Sequence, residues 1–394
     1  SVMPSRPWLT RNLVVLSVVS LTQDAASELM YPLMPLFLAG ILAAPAVVLG
    51  IVEGLAELAA GVSKYVAGRA SDRVGRRTFI TAGYGMAAAG KAIVAASTIW
   101  PTVLVGRTID RIGKGVRSAP RDALITVGSD PAHYAKALGF HRSADTLGAI
   151  IGPLIALLGL AVLDGDVRAV MWWAIVPALL SVGFTFLVRE PQRPAATIDS
   201  SVEPTLVALP LPTSFWRTAT PLIVIAITNV PDTLLLLRLS ELGASTTEVV
   251  LAYIAFNAVY TLAAYPAGLL ASRIAPRHVY AIGLGAFALA FVTLGTATTA
   301  GPIAFTAVAL YGLFPALTDG IGKAMVAAST PQHSHGRAQG TYQALNGAAI
   351  LAAGTWAGLT WSAGSGNGNV PFVIAGCGAL VGAAVMARRT QVRS

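Results

Sequence analysis

The sequence predicts an all-α integral membrane protein whose twelve transmembrane helices form two pseudo-symmetric six-helix bundles, and three observations support this prediction. Hydrophobic residues make up 55% of the 394 residues and charged residues only 11%, whereas a soluble domain is about 25% charged. Apolar stretches long enough to cross a bilayer recur along the chain. The second half also repeats short motifs of the first. This composition excludes an ordinary soluble enzyme, a disordered protein and a disulfide-stabilised secreted domain.

Each predicted span is a helix, because lipid cannot satisfy the polar groups of an open backbone. The first six spans are predicted near residues 12–40, 45–67, 78–99, 101–124, 138–163 and 168–188. The second six are predicted near residues 218–240, 246–270, 278–299, 302–328, 338–362 and 369–387. Residues 190–217, rich in Pro, Thr and Ser, separate the two sets. We therefore divide the chain into an N-terminal bundle (1–189), a cytoplasmic linker (190–217) and a C-terminal bundle (218–394).

Basic residues outside the predicted spans fall almost entirely on one side of the membrane. With the N-terminus inside, the inner loops and ends carry residues such as Arg11, Arg76, Arg273 and Arg388, whereas the outer loops carry only Arg168. Cytoplasmic loops are enriched in Lys and Arg, so both termini are predicted to be cytoplasmic. This bias accounts for the net charge of +9 without a nucleic-acid partner. The short basic start leads straight into the first span, which suits an uncleaved transmembrane segment.

A motif after the second span recurs in degenerate form in the second half. Residues 68–77 read GRASDRVGRR, and residues 268–277 read GLLASRIAPR, with Ser272 in place of Asp72. The first copy resembles the loop signature of the major facilitator superfamily, G-x-L-A-D-R-x-G-R-R, and lies between spans 2 and 3 as in that family. Residues 111–115, RIGKG, resemble the family's R-x-x-Q-G motif with Lys114 in place of Gln. Residues 148–153, GAIIGP, resemble the G-x-x-x-G-P motif of its proton-driven exporters.

The resemblance implies a secondary transporter of the bacterial cytoplasmic (inner) membrane, with the major facilitator fold and alternating access. It favours proton-coupled export, that is, antiport of a small molecule against protons. The expected partners are this substrate, protons and membrane lipid, and the expected form is a monomer without cofactor or metal ion. An enzyme is not predicted, because the sequence lacks HExxH, GxSxG and GK[ST] patterns. The alternative is a symporter or uniporter for an anionic metabolite bound by Lys and Arg within the spans.

The loop motif and the glycines of span 5 are predicted to control the conformational change. Glycines permit tight turns and close helix contacts. The acid of the loop can bind a helix N-terminus or an arginine in one conformational state. The predicted gate comprises Gly68, Asp72, Arg73, Gly75, Arg76, Arg77, Gly148, Gly152 and Pro153.

Charged residues inside the predicted spans concentrate in the first half, which is therefore the better candidate for ion coupling. Asp24 and Glu28 share one face of span 1, and Glu53 and Glu57 share one face of span 2. Neighbouring carboxylates in a low-dielectric cavity resist simultaneous ionisation, which suits reversible protonation. Alternatively, each acid pairs permanently with a base such as Lys91 or Arg111. The proton-coupling candidates are Asp24, Glu28, Glu53, Glu57, Asp110, Arg111 and Asp145.

Spans 4 and 7 carry further charges near mid-membrane. Asp110 and Lys114 are spaced to neutralise each other. The resemblance implies that Arg111 pairs with an acid of span 1 or span 5 and so controls proton access. In span 7, Pro231 followed by Asp232 indicates a broken helix, whose loosened backbone can line a cavity. The candidate substrate-cavity residues are Lys91, Lys114, Asp232, Arg238, Asp319, Lys323, Tyr31 and Tyr260.

Overall fold

A computed structural model describes residues 9–126, 134–190, 210–331 and 334–388, and within these ranges the chain forms helices and their connections without a strand. Twelve spans can be followed in the described ranges. In the first half they are α1 (Arg11–Leu33), α2 (Ala46–Val74), α3 (Arg76–Ala96), α4 (Trp100–Thr126), α5 (Tyr134–Val162) and α6 (Val167–Thr185). In the second half they are α7 (Thr213–Ala226 and Asp232–Glu241), α8 (Thr246–Arg273), α9 (Pro276–Thr296), α10 (Pro302–Ala328), α11 (His335–Leu359) and α12 (Asn369–Arg388).

Nine of the described helices combine the length and the apolar composition needed to cross a membrane. The other three spans do not combine the required length with the required apolar composition. α4 is 27 residues long but carries many charges, and α11 is 25 residues long but carries polar residues such as Gln343 and Asn346. α7 is interrupted over residues 227–231, which are not helical. The break predicted at Pro231 is therefore confirmed.

The predicted domain boundaries, at residues 189/190 and 217/218, stay a prediction. α7 begins at Thr213, so the last residues of the predicted linker belong to a helix. Residues 191–209 lie outside the described ranges.

Corresponding helices pack together in the two halves. In the first half, α1 packs against α5, α2 against α4, and α3 against both α4 and α6. In the second half, the corresponding pairs α7–α11, α8–α10, α9–α10 and α9–α12 are also in contact. The predicted pseudo-symmetry of two six-helix bundles is thus confirmed.

The two bundles meet along α2–α11 and along α5–α8. Backbones touch in the first of these contacts, since a Cβ at Gly50 would lie 2.1 Å from the carbonyl oxygen of Gly354. Farther along the same pair of helices, a Cβ at Gly340 would lie 2.6 Å from the ring of Tyr65. Small residues of this kind allow helices in a membrane to approach closely, so α2 and α11 remain in contact over most of their length.

Candidate functional site

A cavity of about 550 Å³ lies between the two bundles. We call the end of the protein where α1 begins the near face and the opposite end the far face. The lining residues Tyr280, Lys323 and Tyr342 lie close to the near-face ends of α9, α10 and α11. Towards the far face, Tyr31 of α1 packs against Tyr253 of α8, with ring centroids 5.4 Å apart. The cavity therefore opens towards the near face and is closed towards the far face.

Two carboxylates line the closed end of the cavity. Glu28 of α1 accepts a hydrogen bond from the Tyr253 hydroxyl, which joins the two bundles. Asp232, the first residue of the second segment of α7, accepts a hydrogen bond of 2.8 Å from the Tyr311 hydroxyl. Within the described part of the chain, neither carboxylate has a basic side chain at ion-pair distance. We refer to Glu28, Asp232, Tyr253 and Tyr311 as the floor of the cavity.

Three lysines line the cavity nearer to its opening. Lys64 of α2 directs its Nζ towards the Oε1 of Gln343 on α11, at 3.5 Å. Lys114 of α4 and Lys323 of α10 are exposed on the same cavity. Asp319 also lines this region, one turn before Lys323. We refer to Lys64, Lys114 and Lys323 as the mouth, so the cavity has an acidic floor and a basic mouth.

A network of charges is buried between α2, α3 and α4. Glu53, only 4% exposed, accepts hydrogen bonds from Arg107 at 2.9 Å and from Arg111 at 3.2 Å. Arg107 also lies 3.4 Å from Asp110, whose other oxygen accepts a bond of 2.9 Å from Lys91. Charges are costly inside a membrane protein unless they are paired. The network pairs each of these groups and holds the three helices together.

Arg111 takes its partners from α2 rather than from α1 or α5. It lies 3.2 Å from Glu53 and 3.4 Å from Glu57. The expectation of an acid from span 1 or 5 is therefore wrong. Glu53 and Glu57 instead fit the alternative interpretation, in which the acids of span 2 are paired with a base.

Asp110 binds Lys91 of α3, and the expectation that it neutralises Lys114 is wrong. The reason lies in the contact between α3 and α4. A Cβ at Gly90 would lie 2.5 Å from the carbonyl oxygen of Gly106, so the two backbones touch beside this ion pair. The neighbouring helix thus supplies a closer base than the next turn of α4.

Two residues predicted to line the cavity do not do so. Lys91 is 2% exposed and its ammonium is bound to Asp110. Arg238 is 3% exposed and donates to the carbonyl oxygens of Leu294, Asn367 and Ala297, at 3.1, 2.6 and 2.8 Å. Its guanidinium therefore ties together segments at the far face of the C-terminal bundle. The remaining predicted lining residues do line the cavity, namely Lys114, Asp232, Asp319, Lys323, Tyr31 and Tyr260.

Asp24 lies at the contact between α1 and α5 rather than among the residues that line the cavity. A Cβ at Gly148 would lie 3.0 Å from the Cβ of Asp24, and one at Gly152 would lie 2.5 Å from the Ala25 carbonyl oxygen. The two glycines thus make the close helix contact that the sequence predicts, just before Pro153 within α5. Asp145 lies one turn before Gly148 on α5, which makes it a neighbour of Asp24 across this contact.

The described part of the loop motif, Gly75 to Arg77, lies at the start of α3. Gly75 has a φ of +115°, in the region that favours glycine. The amides of Arg76 and Arg77 donate to the two carboxylate oxygens of Glu190, at 2.9 and 2.8 Å. The N-terminus of a helix favours an anion in this position. The side chains of Asp72 and Arg73, and the surroundings of Gly68, lie outside the described residues.

Four residues of this arrangement could not be singled out from the sequence. Arg107 lies one turn before Arg111 on the same face of α4, which was a usable signal. Glu190 directly follows the sixth span but was assigned to the linker. Tyr253 and Tyr311 contact carboxylates of other helices, and no local pattern distinguishes them from other tyrosines within spans.

Comparisons with known proteins cover nearly the whole chain. The model of the Major Facilitator Superfamily matches residues 16–237 and 214–393. The chain is 27% identical over 361 residues to an uncharacterised MFS-type transporter of Methanocaldococcus jannaschii, covering 90% of this chain and 89% of that protein. The structure of the nucleoside transporter NupG is similar, with a TM-score of 0.76 at 13% identity, over 97% of this chain and 100% of its own. A D-xylose-proton symporter has a TM-score of 0.73 at 18% identity, over 95% and 96% of the two chains.

Proposed function

This chain belongs to the major facilitator superfamily and is therefore a secondary transporter, and from that premise we propose that it exports a small molecule in exchange for protons. Two bundles around one central cavity suit alternating access, in which the cavity opens to one side of the membrane at a time. The described conformation, open to the near face, is one of the two states that such a cycle requires.

The observation that carries this proposal is the pair of carboxylates on the floor of the cavity. Glu28 and Asp232 come from different bundles and are held by tyrosine hydroxyls rather than by basic groups. A carboxylate that lines a membrane cavity without a basic partner can bind a proton or a cationic group. Protons and substrate then compete for the same carboxylates, and this is the linkage that antiport needs.

We assign the proton-binding role of α1 to Glu28 rather than to Asp24, because Glu28 lines the cavity. Asp24, with Asp145 beside it, is the second choice. Asp110 and Arg111 belong to the buried ion-pair network, and we assign them a supporting role in holding α4 against α2 and α3.

The distribution of basic residues supports a cytoplasmic near face. Arg11, Arg76, Arg273 and Arg388 lie at the near-face ends of their helices, whereas Arg168 lies at the far-face end of α6. Lys and Arg mark cytoplasmic ends, so the cavity of this conformation would take up substrate from the cytoplasm. The resemblance of residues 148–153 to an exporter motif favours the same direction.

A carrier for an anionic metabolite is the second candidate. Lys114 and Lys323 are exposed on the cavity, and within the described residues neither has an ion pair. Such ammonium groups can bind a carboxylate or a phosphate. This candidate would operate as a symporter or a uniporter.

Proton movement in liposomes tests the two candidates. The purified full-length protein would be reconstituted with a pH-sensitive dye inside, and cationic drugs and anionic metabolites would be screened for substrate-dependent proton flux. We expect protons to move opposite to the substrate, and Glu28→Gln and Asp232→Asn to stop this movement. Asp164→Asn is the control, since Asp164 lies in a far-face loop with a φ of +51°, which Asn tolerates. Substrate transport without proton movement, or with protons in the same direction, rejects antiport.

A further inference from the structure

The acidic floor and the basic mouth belong to one continuous cavity, so a single bound molecule can meet both. Resting on the proposed transport function, we propose that the substrate is a zwitterion with an extended skeleton, whose ammonium group binds at the floor and whose carboxylate or phosphate group binds at the mouth.

The floor is suited to an ammonium group. Glu28 and Asp232 offer carboxylate oxygens without a competing ion pair in the described residues. Aromatic rings surround them, since Phe256 stacks on Tyr311 with centroids 5.4 Å apart and packs against Tyr253 with centroids 5.7 Å apart. Aromatic faces attract cations, and more strongly where water is excluded. An ammonium group at the floor would therefore gain a charged acceptor next to aromatic rings.

The mouth is suited to an acid group. Lys64 and Lys323 lie on helices of different bundles, and Lys114 of α4 completes the mouth. The acids near these lysines are Asp319, one turn before Lys323, Glu57 and Asp122, which Arg111 and Arg121 bind, and Asp24 beside Lys114. Among the described residues, three lysines thus face two acids, Asp24 and Asp319, that have no arginine at ion-pair distance. An anionic group that enters here would be attracted by this excess of positive charge.

The distance between floor and mouth sets the length of the molecule. α10 carries Tyr311 of the floor and Lys323 of the mouth, and this interval of helix corresponds to about 18 Å at 1.5 Å per residue. A lysine side chain that extends towards the floor would shorten this gap. An α-amino acid carries its ammonium and carboxylate groups on the same α-carbon, so it cannot contact the floor and the mouth at once. A molecule with its charges at opposite ends of a chain, such as an ω-amino acid or a short peptide, can do so.

A binding assay that does not depend on transport tests the substrate class. The purified full-length protein would be titrated with 6-aminohexanoate, hexylamine, hexanoate and glycine, and the apparent Kd would be obtained from the shift in thermal unfolding. We expect 6-aminohexanoate to bind about tenfold or more tightly than the other three, because it alone makes both charged contacts. 4-Aminobutyrate and 8-aminooctanoate would locate the best length.

Variants at the two ends make the test specific. Asp232→Asn should weaken 6-aminohexanoate and hexylamine alike, whereas Lys323→Gln should weaken 6-aminohexanoate but leave hexylamine unchanged. Asp164→Asn, at the far face, should alter neither. Lys323 is exposed, so its replacement should leave folding intact. Asp232→Glu is the second floor variant; it keeps the negative charge and should therefore retain binding.

Equal binding of hexylamine and 6-aminohexanoate would overturn the proposal in favour of a simple cation, and tighter binding of hexanoate would overturn it in favour of an anion. Failure of the whole ω-amino acid series to bind also rejects it. None of these outcomes tests proton antiport, which is tested separately by the flux measurement in liposomes.

Discussion

The contact between Gly50 and Gly354 leads to a prediction about which face of the protein is open. A methyl group added at Gly50 would lie 2.1 Å from the Gly354 carbonyl oxygen, whereas real Cβ atoms essentially never approach closer than 3.0 Å. The two backbones must therefore separate by close to an ångström. Overpacking of this kind costs about 1–3 kcal/mol, which changes a population ratio by about 5- to 150-fold.

The direction of this change follows from where the contact lies. Gly50 is near the far-face end of α2, which begins at Ala46, so the contact helps to close the far face. Alternating access separates the far-face ends of the bundles when the cavity opens there. Gly50→Ala therefore penalises the described state, and we expect the population to shift away from the state open to the near face.

Cysteine labelling measures this shift. In a Cys377→Ser background, a cysteine in place of Ser118 would report access to the cavity from the near face, because Ser118 lines it. We expect Gly50→Ala to slow maleimide labelling about fivefold or more. Gly85→Ala in α3 is the matched control, since it makes the same helix-favouring change at a site with nothing within 4 Å. An unchanged labelling rate in Gly50→Ala, or equal slowing in both variants, would refute the reasoning.

Three further predictions concern charges. Glu53→Gln removes the anion that Arg107 and Arg111 share and leaves each with one acid at 3.4 Å, so thermal unfolding in detergent should show a loss of up to about 3–5 kcal/mol; a loss no larger than that of the exposed Asp319→Asn would contradict this. Glu190→Gln removes the anion at the start of α3 and should cost about 0.3–1 kcal/mol at low salt, with little difference from wild type in concentrated salt; a salt-independent loss would argue against the electrostatic cause. Asp72→Asn should leave membrane insertion intact but slow transport in liposomes, and Ser272→Ala should be milder because the second loop has no acid there; equal losses would remove the predicted asymmetry.

Features encoded by one segment of the chain could be predicted from the sequence. The apolar stretches marked the spans, because crossing a bilayer requires a long apolar helix. Pro231 marked the break in α7, because proline removes a backbone hydrogen bond. Gly148 and Gly152 marked a close helix contact, and they meet α1 backbone in the structure.

The partners of the buried charges could not be predicted in the same way. Spacing along α4 offered Lys114 as the neighbour of Asp110, yet Lys91 of α3 binds it. That outcome depends on the approach of Gly90 to Gly106, which is a property of two packed helices. The Glu28–Tyr253 contact is harder still to predict, because its two residues belong to different bundles and are 225 positions apart in the chain.

The charged residues of the membrane spans fall into two groups according to their partners. One group forms ion pairs that hold the N-terminal bundle together, and the other has no ion pair among the described residues and is available for transport. Glu53, Arg107, Asp110 and Lys91 satisfy one another inside the bundle, so a change of their protonation would break ion pairs that join α2, α3 and α4. Among the described residues, hydroxyl groups alone bind the carboxylates of Glu28 and Asp232. A hydroxyl both donates and accepts, so it is compatible with a carboxylate or with a carboxylic acid. A proton or an ammonium group can therefore come and go at the floor without disturbing the packing of either bundle. Coupling needs sites of this second kind, placed where the two bundles meet.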